Sequence, residues 1–289
     1  MPELPEVETI KRQIERHLKG QVISDIIIYN PKSFIGYSKL VIGQKIIEVK
    51  RYGKMLVIKL SNNYDLGIHL KMSGQLIYVG RGYSTSPRLR GASRVEGRVN
   101  KEKIHKHTRV IIEFKSSDRL LFNDQRKFGW IRVFNHKEIL SLPFIKKLGP
   151  EPWDIKDELF YEKLHKKNKP IKTVLTDQDV ISGVGNIYAN DALWEAGIDP
   201  KKKAKSLTKE EAWKLREALV KVLEEGIKLG GSTGKDRKYI DFEGNSGKYL
   251  ERSRVYERDK LKCKRDDGGI IEKIKIGGRG TYFCPVCQK

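Results

Sequence analysis

The chain has 289 residues, enough for one large domain or two ordinary ones, and 38% hydrophobic residues suffice for a core in each. Lysine and arginine exceed aspartate and glutamate by 59 − 37 = 22, a charge that points to a polyanionic partner, nucleic acid first. No stretch approaches the ~18–20 consecutive apolar residues of a membrane span. The acidic N-terminus is no signal peptide, and three cysteines near the C-terminus make no disulfide framework, so a cytoplasmic protein is expected.

The chain opens MPELPEVET, with two prolines and three glutamates in its first eight residues. Val7, Ile10, Ile14 and Leu18 recur at helical spacing, with Pro5 suited to the first turn and Gly20 to the end. Glu3 is therefore expected at or just before a helix N-terminus, within reach of the first nitrogen. From Val22 to about Phe134 short β-branched runs follow, VISDIIIY, KIIEV, MLVIKL, LGIHLKM, RVIIEF and RLLFN, broken by Gly, Asn, Asp and Ser. Between Gly80 and Lys106 eight basic residues stand against two acidic ones, a loop that either touches DNA or is simply solvated.

LGPEPWD, around Pro150 and Pro152, reads as a linker. Beyond it the pattern is helical, most clearly from the capping box Thr208-Lys-Glu-Glu211 through Leu215, Leu219, Val222, Leu223 and Ile227 to Gly230-Gly231. The order gives an N-terminal domain over 1–135, a linker over 136–152, a helical domain over 153–255 and a β-hairpin over 256–289.

Two short motifs carry chemistry. Gly183-Val-Gly185-Asn186 is a tight turn opening a helix, where backbone N–H groups approach a phosphate or two helices merely pack closely. Cys284-Pro-Val-Cys287 is half of a four-ligand zinc pattern. The upstream half is Cys263-Lys-Arg-Asp266-Asp267, with one cysteine where two are usual. Cys263, Cys284, Cys287 and a carboxylate, Asp266 or else Asp267, make a chemically feasible zinc set, against a hairpin that folds without metal.

MPELPEVET, His69-Leu-Lys-Met-Ser-Gly74, Asp124-Gln-Arg-Lys-Phe-Gly129, SGVGNIYANDALW and GRGTYFCPVCQK, in this order over essentially the whole chain, resemble formamidopyrimidine-DNA glycosylases. The resemblance implies an α+β fold: an N-terminal helix plus β-sandwich, then a helix–two-turn–helix domain ending in a zinc-finger-like β-hairpin. DNA would lie in a basic cleft between the domains. It implies a bifunctional glycosylase and apurinic/apyrimidinic lyase that removes oxidised purines from double-stranded DNA as a monomer.

By the same resemblance Pro2, exposed by removal of Met1, is the nucleophile and Glu3 the proton donor. Glu6 orients the N-terminus, Lys54 binds the phosphate next to the lesion, and Met72, Arg126 and Phe128 fill the void left by the extruded base. Asn186 and Arg279 clamp phosphates, Lys172 lies near the flipped base, and His69 is either a phosphate contact or an ordinary sandwich histidine. The segment GGSTGKDRKYIDFEGNSGKY corresponds to the family's lesion-covering loop, a couple of residues longer than usual. The rivals are the oxidised-pyrimidine branch resembling endonuclease VIII, which typically begins Pro-Glu-Gly-Pro, and a DNA-binding protein without chemistry.

Overall fold

The computed structural model describes residues 1–80, 105–234 and 236–289, so nearly all of the basic loop over 80–106 lies outside the described residues. The chain divides into two compact units, Met1–Ile145 with Gly230–Gly247, and Lys146–Leu229 with Lys248–Lys289. The first boundary falls inside the expected linker. Residues 230–247, assigned by the sequence to the helical domain, instead belong to the N-terminal unit, and the C-terminal hairpin belongs with the helices.

In the first unit α1 (Leu4–Leu18) starts as its spacing dictates. Glu3 is the N-cap, Pro5 sits in the first turn, and Val7, Ile10, Ile14 and Leu18 form the buried face. The strands build two sheets. One has the order β1 (Ile23–Ile28), β7 (Thr108–Phe114), β8 (Arg119–Asp124), β6 (Gly74–Val79). The other runs β2 (Phe34–Ile35), β9 (Trp130–Asn135), β5 (Tyr64–His69), β4 (Met55–Leu60), β3 (Ile46–Tyr52). Inward residues of both sheets, Leu76, Val110, Ile112, Leu120 and Phe122 against Val49, Ile58, Leu66, Ile68 and Ile131, share one core with the buried face of α1.

Sequence alone does not reveal why 230–247 leaves the helical unit. Tyr239 and Phe242 enter the sandwich core, and Ile240 packs with Ile77, Ile111 and Leu121. Burial of three large apolar side chains outweighs chain adjacency.

In the second unit α2 (Pro143–Lys147) bridges the boundary, followed by α3 (Asp157–His165), α4 (Ile171–Leu175), α5 (Asn186–Ala196), α6 (Lys209–Lys228) and α7 (Tyr249–Arg252). The Thr208–Glu211 capping box forms in both directions, and Leu215, Leu219, Val222 and Leu223 are buried as the pattern predicts. The hairpin pairs β10 (Glu272–Ile276) antiparallel with β11 (Arg279–Phe283).

Candidate active site and metal centre

At the N-terminus, Pro2 and Glu3 are buried. The Glu3 backbone N–H donates to Glu6 Oε2 at 2.7 Å. The other Glu6 oxygen accepts the Ser232 N–H at 2.8 Å and its hydroxyl at 3.0 Å. Glu6, 1% exposed, thus pins the first residues to the segment 230–247. Ser232 escapes sequence reasoning because 226 residues separate it from its partner.

At the end of β3, Arg51 Nε donates to Glu8 Oε2 at 2.9 Å and its Nη1 to the Gly53 carbonyl at 3.0 Å. Burial pushes the Glu8 pKa up, but Arg51, Arg12 and Lys11 outweigh it and hold the carboxyl below its ordinary value. This pair ties the β3–β4 turn, with Lys54 in it, to the first turns of α1. Met55 pairs with His69 in the next strand, and His69 with Trp130.

His69 resolves into a neutral imidazole. Its Nδ1 accepts the Lys71 N–H at 3.0 Å, which leaves the proton on Nε2. Burial first, then the charges of Lys71 and Lys54, push its pKa down to about 3. It offers a phosphate one uncharged donor. The unfolded chain takes up this proton near pH 6.5 and the fold only near 3, so the contribution is full above 6.5 and is lost as pH falls toward 3. Between pH 7 and pH 5 that loss is about 2 kcal/mol. Urea unfolding of His69→Gln should show a correspondingly smaller difference between those two pH values.

Met72 and Phe128 are exposed, 39% and 55%, on the turns after β5 and β8. The Arg126 guanidinium lies over the Phe128 ring, 4.9 Å from its centroid. In this unit the structure therefore places Lys54, His69, Met72, Arg126 and Phe128 toward one end of the sandwich.

In the second unit α5 begins at Asn186 with Gly185 as N-cap, so the GVGN turn opens a helix as expected. Gln178 clasps the turn, accepting from the Gly183 N–H at 3.0 Å and donating to the Val184 carbonyl at 2.9 Å. Asn186 Nδ2 donates to the Gly280 carbonyl at 3.1 Å, beside exposed Arg279.

Lys172, which the resemblance puts near the flipped base, lies in α4. It is 1% exposed, and its ammonium donates to Asn186 Oδ1, to Thr281 Oγ1 at 3.1 Å and to the Gly280 carbonyl at 3.5 Å. With its protons so engaged it joins α4, α5 and the hairpin. Two further anchors carry no signal in the sequence. Asn190 Oδ1 accepts the Tyr282 N–H at 2.9 Å. Buried Asp191 accepts from Tyr249 Oη and the N–H groups of Arg254, Val255 and Tyr256, all between 2.9 and 3.1 Å.

Cys263, Cys284, Cys287 and Asp267 bring one ligand atom each to within 4.8 Å of one another. The fourth member is Asp267; Asp266, the carboxylate that the sequence puts first, is outside this set. Asp266 takes a left-handed φ of 52°, and the turn brings Asp267 Oδ2 to 3.4 Å from Cys284 Sγ. The Gly269 N–H orients Asp267 through Oδ1 at 2.8 Å, and a Cβ at Gly269 would sit 2.4 Å from Cys284 Sγ.

Cys263 and Cys287 Sγ lie 3.9 Å apart, against about 3.8 Å for the edge of a tetrahedron with ~2.3 Å zinc–sulfur bonds. The donor set therefore fits zinc. Burial pushes the Cys263 and Cys287 thiols up, while hydrogen bonds from Cys287 and the Gly269 N–H bring Asp267 down to about 2. A dication favours the thiolates and reverses the rise at the two cysteines.

Models of the formamidopyrimidine-DNA glycosylase N-terminal domain, its H2TH domain and the zinc finger found in FPG and IleRS match residues 1–131, 148–238 and 261–289. The chain is 38% identical to the formamidopyrimidine-DNA glycosylase of Desulforamulus reducens and 36% to that of Bacillus cereus ATCC 14579, covering all of this chain and 99% of each relative. It is 33% identical to a Lactococcus lactis Fpg variant crystallised with Fapy-dG DNA, with a TM-score of 0.86 over the whole of both chains. The wild-type Lactococcus lactis protein, crystallised with oxidised-pyrimidine DNA, gives 0.85 at the same identity and coverage. No helix among the described residues is long and apolar enough to cross a membrane. With a family model over each of three successive segments and relatives aligned along its full length, the chain belongs to the formamidopyrimidine-DNA glycosylase family and is a DNA glycosylase of base excision repair.

Proposed function

We propose that the chain excises oxidised purines, 8-oxoguanine and formamidopyrimidines, from duplex DNA and cleaves the strand at the resulting site. The observation that carries this reading is the buried Pro2-Glu3 start, held through Glu6 to Ser232. A DNA-binding protein without chemistry has no use for so fixed a terminus. Its first nitrogen becomes available once Met1 is removed.

An α-amine has a pKa of about 7.7–8.0, so a useful fraction is neutral at pH 7. The Pro2 lone pair bonds to C1′ as the glycosidic bond breaks, and the base leaves with that electron pair and a proton. Glu3 protonates O4′, the sugar ring opens, and C1′ becomes doubly bonded to nitrogen. Because the amine is secondary, this iminium carries a positive charge without further protonation. It acidifies C2′; loss of that proton expels the 3′ phosphate, and a second elimination expels the 5′ phosphate. Water then hydrolyses the iminium and restores Pro2.

Lys54, His69, Asn186 and Arg279 bind phosphates in this reading, while Met72, Arg126 and Phe128 occupy the space of the extruded base. Cys263, Asp267, Cys284 and Cys287 hold one structural zinc ion, which fixes the hairpin that presents Arg279.

The Pro2-Glu3-Leu4-Pro5 start favours the oxidised-purine branch, although one relative has been crystallised with an oxidised pyrimidine. Cleavage of duplexes with 8-oxoguanine opposite cytosine and with dihydrouracil should favour the purine by at least about tenfold in kcat/KM. Preference for dihydrouracil would assign the chain to the other specificity.

A further inference from the structure

Two chain crossings from one sheet to the other lie side by side at the edge of the sandwich. Residues 70–73 join β5 to β6, and residues 125–129 join β8 to β9. His69 pairs with Trp130 on one sheet, Gly74 with Asp124 on the other. The two turns carry the exposed Met72 and Phe128, with Arg126 stacked on the latter.

One fully buried carboxylate clasps both turns. Asp124 Oδ1 accepts the Ser73 hydroxyl at 2.5 Å and the Arg126 N–H at 3.1 Å. Its Oδ2 accepts the Gly129 N–H at 2.7 Å, and Ser73 Oγ itself accepts the Arg126 N–H at 3.0 Å. The Asp124 main-chain carbonyl accepts the Arg109 Nε–H at 2.8 Å. The glycines that end the two turns leave no room for a side chain. A Cβ at Gly74 would sit 2.4 Å from the Leu70 carbonyl oxygen, and one at Gly129 2.8 Å from Phe122.

A large side chain exposed on a tip enters a base stack productively only if the tip does not give way. Unstacking a base step costs a few kcal/mol, and a displacement of about 1 Å in a positioning element costs up to about a hundredfold in rate. We propose that Asp124 is a positioning residue for base extrusion: it sets the separation and rigidity of the two tips so that Met72, Arg126 and Phe128 enter the duplex as one wedge. The proposal rests on the glycosylase reading above. It concerns the extrusion step and not the bond-breaking at Pro2, since an abasic sugar has no base to unstack.

Asp124→Asn tests it. An amide offers one acceptor oxygen in place of two and turns an NH2 toward a backbone N–H, so a clasp bond is lost with little change of shape. Excision of 8-oxoguanine from duplex DNA should fall at least about tenfold. Cleavage at a preformed abasic site should stay within about threefold, and Ser73→Ala, which keeps the Gly129 bond, should lose less than Asp124→Asn. 2-Aminopurine placed beside the lesion should brighten on binding by the unsubstituted protein and less so with Asp124→Asn at saturating protein. Equal losses in both cleavage assays, unchanged excision, or undiminished brightening would overturn the proposal. Absence of excision by the unsubstituted protein would instead remove the glycosylase reading.

Discussion

Replacing Pro2 with Gly should lower strand cleavage at an abasic site, and covalent trapping by borohydride, by at least about a hundredfold. Glycine still supplies a terminal amine, so the expected loss has two physical parts. The imine formed on a primary amine sheds its proton and with it most of its electron-withdrawing power, whereas the proline iminium cannot. Glycine also frees a backbone that Pro2 holds in place, in a segment where Glu3 and Glu6 are fixed by hydrogen bonds. Binding to a stable abasic analogue should change by less than about threefold, because phosphates dominate affinity. Equal loss of binding and cleavage would mean that the substitution has merely disordered the terminus.

The second large effect is expected at the metal centre. Elemental analysis should find stoichiometric zinc in the unsubstituted protein and in Asp266→Ala, and none in Asp267→Ala. Structural zinc contributes roughly 10–16 kcal/mol of apparent binding free energy in small zinc modules, so its loss loosens the segments it joins. Cys284 directly follows β11, whose first residue is Arg279. DNA affinity should therefore fall with the zinc, by about tenfold or more at physiological salt. Asp267→Cys should bind zinc more tightly, since thiolate is the softer and stronger donor for this ion. Zinc retained by Asp267→Ala would eliminate this carboxylate as a ligand.

The local elements are legible in the residues themselves. The helix from Leu4 follows from four apolar residues at helical spacing, and α6 from a capping box and a continuous buried stripe. Such signals depend on near neighbours alone, so they survive folding. The metal set is legible as three cysteines and an ambiguous pair of carboxylates. Spacing does not separate Asp266 from Asp267, because the choice depends on a left-handed turn at Asp266 and on one N–H from Gly269.

Long-range pairings are not legible. Ser232 reaches Glu6 only because Tyr239, Ile240 and Phe242 draw residues 230–247 into the sandwich. Lys172 has a role in the sequence only through the resemblance, and nothing near it in the chain signals a hydrogen-bond acceptor as far away as Thr281, across the whole helical segment. Asp124 stands in a motif without a visible role, because its partners come together only where two sheet crossings meet.

The nucleophile assignment is tested most directly by digesting a borohydride-trapped protein–DNA complex and locating the attached sugar by mass spectrometry. The sugar should sit on the nitrogen of Pro2 in a chain that has lost Met1. A sugar on Lys54, or a trapped and active chain that still carries Met1, would contradict it.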